Sequence, residues 1–258
     1  MRRTELIMGM PITVVIPDRE RQDTPSGTVR YPTAEEAALA VFDYFRGVDE
    51  RFSPYKRGSE TCRIDRGELA PVSASPEMRE VLLLSEETKQ LTGGHFDVWF
   101  QGRFDPSGLV KGWAIAQASR ILDDDDFVSF CIEAGGDIEV RGANDEGKPW
   151  AIGLRSPFDP EKLTHRLLLQ NRGVATSGTY IRGEHIYNPK TGARVNEIAS
   201  LTVIGPNVFE ADRLATAAFA MGASGIQFMA GLPGFDACVI GWDGIATFTP
   251  GFTEYVEP

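Results

Sequence analysis

Apolar residues along the first half of the chain recur mostly at helical spacing. Ile12 to Ile16 form a short apolar run that predicts a strand, with Met8 and Gly9 just before it. Residues 18–30 are charged and turn-rich, which predicts a loop or the turn of a hairpin. Thr33 followed by Glu36 makes a capping box, and Phe42, Phe45 and Val48 follow at helical spacing, so an amphipathic helix starts there. The polar stretch 51–65 contains Pro54 and Gly58 and predicts irregular chain. Ser75-Pro76 opens a second helix carrying Met78, Val81, Leu82, Leu84 and Leu91, and Gly93-Gly94 ends it. A third helix runs from Leu109 to Leu122, after Ser107 and Gly108. It closes on the run Asp123 to Asp126, read as a solvated exit because four adjacent carboxylates cannot converge on one ion.

The second half is strand-rich. Residues 127–135, 136–142 and 150–157 have strand character and are separated by glycine or Asn-Asp turns; residues 165–178 hold two more strands, and Ser200 to Ile204 another. Residues 210–222 read as a helix ended by Gly222. Phe235–Trp242 and Ile245–Phe248 pair across Asp243-Gly244, a strong hairpin pattern. Helices on a largely antiparallel sheet make the fold class α+β. No short-period repeat or low-complexity linker divides the chain, so residues 1–258 read as a single domain.

Composition narrows the function classes. The 258 residues are 42% hydrophobic, enough for a sizeable core. The net charge of −11 repels nucleic-acid phosphates and anionic lipid, so no nucleic-acid partner and no membrane insertion are expected. An anionic ligand on such a protein points to a mediating cation. Cys62, Cys131 and Cys238 are far apart and lack metal-ligand spacing, so they read as free thiols in a reducing compartment. The N-terminal segment is interrupted by Glu5 and Pro11 and reads as neither leader nor span, giving a cytoplasmic expectation.

Four segments carry candidate chemistry. Asp105, Ser107, Gly108 and Lys111 stand at a helix start, where free N–H groups and a lysine suit phosphate; an ordinary capped helix is the alternative. Gly135-Gly136 make a tight turn, or clear the backbone for a ligand. Thr176, Ser177 and Thr179 crowd hydroxyls near Gly178, and His185 precedes an Asn-Pro-Lys-Thr-Gly turn, as a functional group or a satisfied structural histidine. Asp212 and Thr216 share one helix face and offer hard oxygens suited to Mg²⁺, or simply bond to each other.

Taken in order, the segments 8–10, 52–60, 104–114, 134–138, 175–178, 185–192, 200–205 and 211–216 resemble the ApbE family, the flavin transferases that attach FMN to proteins using FAD. The resemblance implies an α+β fold of two related halves around a central FAD cleft. It implies FAD contacts at Met8, Tyr55, His95, Phe96, Asp97, Asp105 and Lys111, with Gly135, Gly136 and Ser177 in the same cleft. It implies Mg²⁺ held by the Gly108 carbonyl, Asp212 and Thr216, with His185 as candidate general base and Asp137 as a second candidate. The substrates it implies are FAD and an acceptor flavoprotein with a Thr or Ser target. Hydrolysis of FAD to FMN and AMP, or FAD binding without catalysis, are the alternatives. The chain departs from the family pattern at Met10, in a short stretch between Phe96 and Asp105, at Asn188 where an aspartate is usual, and at Thr179.

Overall fold

The computed structural model describes residues 1–17, 30–31, 33–159, 161–178 and 187–258. One eight-stranded sheet organises them, with strands in spatial order β1 (Arg2–Ile7), β2 (Met10–Val15), β5 (Phe130–Ala134), β6 (Asp137–Arg141), β9 (Arg172–Gly178), β10 (Ile198–Gly205), β11 (Asp236–Gly241) and β12 (Ala246–Phe248). Every pairing in it is antiparallel. Two small hairpins complete the strand set, β3 (Trp99–Phe100) with β4 (Arg103–Phe104) and β7 (Trp150–Arg155) with β8 (Leu163–Leu169).

Helices cover one face. Against β2 and β5 pack α1 (Ala34–Phe52) and α4 (Ser107–Asp123), through Phe42, Phe45, Leu109 and Ile115 on Ile12, Val14, Phe130 and Ile132, and α3 (Pro76–Leu91) packs against α4. Against β9 to β11 pack α5 (Val208–Ala220) and α6 (Gly225–Ala230), through Leu214, Phe219 and Met229 on Ala175, Leu201 and Val203. The opposite face is covered by the β7–β8 hairpin, whose Trp150, Ile152 and Leu154 alternate inward onto Ile138, Val140 and Val174. Both faces of β10 are thereby closed, and all eight of its residues are buried.

The capping patterns act as expected. Thr33 Oγ1 accepts the Glu36 N–H while Glu36 accepts the Thr33 N–H. Ser75 Oγ accepts the Met78 N–H, with Pro76 in the first turn. A cap the sequence reading did not name is Asn207, whose Oδ1 accepts the Glu210 N–H at the start of α5.

The structure adds α6 and the β3–β4 hairpin to the sequence reading and differs from it at four further points. Strand β1 lies at the sheet edge and carries Arg2, Arg3 and Glu5, a charged pattern that suits an edge strand and hides it from a hydrophobicity reading. Glu60–Asp65 form a short helix, α2, capped by Ser59, inside the stretch expected to be irregular. The acidic run is not wholly solvated. Asp125 is buried and accepts N–H bonds from Arg30 at 2.6 Å and Tyr31 at 2.9 Å, because a carboxylate there can tie down a crossing backbone. The N-cap position of α4 falls on Pro106, which has no side-chain acceptor; Asp105 Oδ1 takes the Ser107 N–H in its place, at 2.9 Å. Among the described residues, no helix is long and apolar enough to cross a membrane.

Candidate functional site

The site grows from the crossing of α4 and α5. Gly108 lies opposite Thr216 and Gly112 opposite Asp212, one turn apart on each helix, so the two run antiparallel there. Gly112 makes the closeness possible: a Cβ on it would fall 2.6 Å from Asp212 Cβ and 3.0 Å from the Val208 carbonyl. Its N–H donates to Asp212 Oδ2 at 2.8 Å, which fixes that carboxylate. An N–H that donates across to α5 has less to give its own helix, and the carbonyl one turn back, Gly108, keeps acceptor capacity. Thr216 Oγ1 lies 3.4 Å from that carbonyl oxygen.

Strand β6 supplies the third side. Lys111 Nζ is 2.5 Å from Asp137 Oδ2 and 3.7 Å from Asp212 Oδ1. Asp137 Oδ1 also accepts the Thr176 N–H of β9 at 3.3 Å. The Asp137 and Asp212 side chains are 1% and 5% exposed, whereas Lys111 is 19% exposed. Burial pushes the Asp212 carboxyl well above its usual range; the Lys111 ammonium opposes this and the adjacent Asp137 reinforces it.

The glycine turns cluster at the same sheet end. Gly135 and Gly136 have φ of +59° and +97°, and a Cβ on Gly135 would meet Met10 Sδ at 2.7 Å. Met10 is therefore packed over this turn, which gives that departure from the family pattern a structural place. Met8, in the β1–β2 turn, takes φ +55°, a left-handed conformation uncommon for a side-chain-bearing residue. Ser177 is buried near the C-terminal end of β9, paired in register with Leu201.

Two walls flank the α4 start. Phe96 packs within 3.5 Å of where a Gly108 Cβ would stand. Burial lowers the His95 imidazole, with Lys190 adding to the effect. Asp97 is paired with Lys89 at 2.7 Å and accepts the Trp99 N–H. Phe100 stacks on Tyr187 at 5.5 Å, docking the Asn188–Gly192 turn onto the β3–β4 hairpin. Within that turn Asn188 Oδ1 accepts the Lys190 N–H at 3.0 Å, so the residue in place of the usual aspartate preserves the turn. On the other side, a cleft of about 220 Å³ is lined by Pro54, Thr61, Cys62, Asp65, Arg103, Phe104 and Asp105. Tyr55 stands beside it, 94% exposed.

The structure thus brings Gly108, Lys111, Asp137, Asp212 and Thr216 into one cluster, with Phe96 against it and Asp105 at the head of the same helix. Met8 and Tyr55 lie outside the cluster, in a turn and on the surface. His185 and Thr179 lie outside the described residues. Gly112 was missed in the sequence; a glycine inside a helical pattern, costing about 1 kcal/mol against alanine, is the trace that would have found it. The donor set of carboxylate, hydroxyl and carbonyl oxygens suits a hard divalent cation that keeps several waters. Among the described residues no group of three or more His, Cys, Asp and Glu side chains converges, so an imidazole- or thiolate-held ion has no counterpart there.

The ApbE family model matches residues 8–102 and 99–239. The chain belongs to the ApbE family. A Haemophilus influenzae relative named FAD:protein FMN transferase is 34% identical over 129 residues, 46% of this chain and 37% of the relative. A Klebsiella pneumoniae protein of the same name is 27% identical over 164 residues, 60% of this chain and 45% of the relative. These alignments span less than half the length of either relative. The ApbE fold is shared over nearly the whole chain: the Thermotoga maritima ApbE protein superposes with a TM-score of 0.85 over 100% of this chain and 99% of its own, at 20% identity. The Vibrio cholerae flavin transferase ApbE superposes with a TM-score of 0.82 over 99% and 98%, at 19% identity.

Proposed function

We propose that this ApbE-family chain cleaves the pyrophosphate of FAD and moves the FMN half onto a Thr or Ser hydroxyl of an acceptor flavoprotein, releasing AMP. The observation that carries this reading is the meeting of Gly108, Asp212 and Thr216 oxygens beside Lys111 at a glycine-lined sheet end. The names of the relatives support the substrate class.

The acceptor oxygen attacks the flavin-side phosphorus, the bond from that phosphorus to the bridging oxygen breaks, and AMP leaves with that oxygen. The hydroxyl proton passes to a base. His185 is our first candidate on sequence grounds; Asp137, already paired with Lys111, is the second. The Gly108 carbonyl, Asp212 and Thr216 would hold Mg²⁺, which when bound neutralises charge on the pyrophosphate. Lys111 adds a positive group at the head of α4 for the pyrophosphate oxygens. Asp105, His95, Phe96 and Asp97 frame the α4 start from two sides, and Met8, Tyr55, Gly135, Gly136 and Ser177 would complete the FAD contacts.

The test is incubation with FAD, Mg²⁺ and candidate flavoproteins, read by in-gel flavin fluorescence and by AMP release. Covalent flavin with matching AMP is expected. AMP and free FMN without covalent flavin would make water the acceptor. FAD bound with no AMP released would leave a binding protein.

A further inference from the structure

We propose that Lys111 is a placeholder cation: bridging Asp137 and Asp212, it neutralises the Asp212 oxygen the divalent ion needs and must withdraw from it before that ion can load. The inference rests on the reading that this cluster takes a divalent cation. Three observations carry it. First, the Asp212 oxygen left over from the Gly112 N–H bond is Oδ1, and that oxygen faces Lys111 Nζ at 3.7 Å. The atom available to a metal is therefore the one the ammonium already neutralises. Second, the two carboxylates are nearly sealed and both lie within 3.7 Å of the same ammonium, so without a cation between them their repulsion in a low-dielectric site would be costly. Third, the parts are built differently: Asp212 and Asp137 each accept a main-chain N–H, whereas the Lys111 ammonium stands at the end of a four-carbon stem whose side chain is 19% exposed.

An ammonium and a dication repel, so they cannot both crowd Asp212 Oδ1. Withdrawal of Lys111 needs an anionic destination, and a pyrophosphate at the head of α4 supplies one. Metal and nucleotide then load together, and the apoprotein binds the metal weakly on its own. Lys111 serves here as a positioning residue for charge as well as a contact for phosphate.

The probe is Mn²⁺ alone, with no nucleotide, titrated at pH 8 and followed by the paramagnetic resonance signal of the free ion. Lys111→Met should bind Mn²⁺ at least about tenfold more tightly than wild type, because one competing unit charge is removed from within about 4 Å. Lys111→Arg, which keeps the charge, should stay within about threefold of wild type on the same reasoning. Adding Asp212→Asn to Lys111→Met should abolish the gain. Equal or weaker Mn²⁺ binding by Lys111→Met overturns the proposal, as does a gain that survives Asp212→Asn. If Lys111→Met does not fold, judged by its melting curve, Lys111→Gln carries the same comparison. The readout contains no FAD, so a failure of flavin transfer with the Mn²⁺ gain intact rejects the proposed function and not this inference. Flavin transfer by wild type without the gain does the reverse.

Discussion

Asp137 and Glu139 stand two residues apart on β6, point to the same helical face, and are both buried, yet their surroundings give them different work. Asp137 pairs with Lys111, a cation delivered by α4, and adjoins Asp212 on α5. Glu139 pairs with Arg141 of its own strand and accepts the N–H of Val208, the first residue of α5. Gly173, its register partner on β9, leaves room for that helix start: a Cβ there would fall 1.9 Å from the Val208 nitrogen. One carboxylate is therefore held by a partly exposed lysine from another element. The other is locked by a local partner and a helix N-terminus, where a negative charge is favoured. On the proposed function the first carboxylate belongs to the chemistry, while the second clamps the start of α5.

The comparison breaks most sharply at the reactive end. Asp212→Ala should reduce Mg²⁺-dependent AMP release on the order of a thousandfold, and Thr216→Ala about tenfold, since only Asp212 brings a formal charge and water can replace a hydroxyl. AMP production measured against Mg²⁺ concentration decides this; a wild-type curve from Asp212→Ala would move the metal elsewhere. Asp137→Asn should likewise lose transfer with little change in melting.

Glu139→Ala should show the converse pattern. It leaves Arg141 and the Val208 N–H without their buried partner, a loss of about 3 kcal/mol of stability. Chemical denaturation should detect it, while transfer per folded molecule falls far less than in Asp212→Ala. A stability loss below experimental error would remove Glu139 from its role as a clamp.

A milder change sharpens the contrast through pH. Burial raises the Glu139 carboxyl to about 7, overcoming the Arg141 pairing and the Val208 N–H bond. The folded state thus holds this proton more tightly than the unfolded chain, whose value is 4.5. Its contribution to stability is full below the unfolded value and is lost as pH rises through about 7. Glu139→Gln lacks that titration. The stability of wild type relative to Glu139→Gln should therefore fall by roughly 3 kcal/mol between pH 4.5 and pH 8. Urea melts at both pH values test it, and a pH-independent difference would show that Glu139 stays ionised.

The smallest effect is expected far from either carboxylate. Tyr55 is almost wholly exposed, so Tyr55→Ala should change stability by less than about 0.5 kcal/mol. If its ring covers the flavin, KM for FAD should rise about tenfold with kcat nearly unchanged, the scale of one lost aromatic contact. An unchanged KM would place Tyr55 outside the FAD site.

Local pattern was enough for much of this molecule. The capping box, the proline-led second helix, the Asp243-Gly244 hairpin and the α+β class all follow from interactions within a few residues, and the structure reproduces them. The face shared by Asp212 and Thr216 follows from helical periodicity, and the ordered motifs pointed to the family. Edge strand β1 escaped because its pattern is charged, and α2 because a six-residue helix between proline and glycine breakers carries too little periodicity. Other features had no local trace. That Lys111 meets Asp137, that Gly112 admits Asp212, that Asp125 is buried and that Glu139 holds the start of α5 all depend on contacts between residues from 26 to 100 positions apart, created by the antiparallel sheet and the α4–α5 crossing. Periodicity tells which way a side chain points from its own element; which charge waits on the other side is decided only when the elements pack.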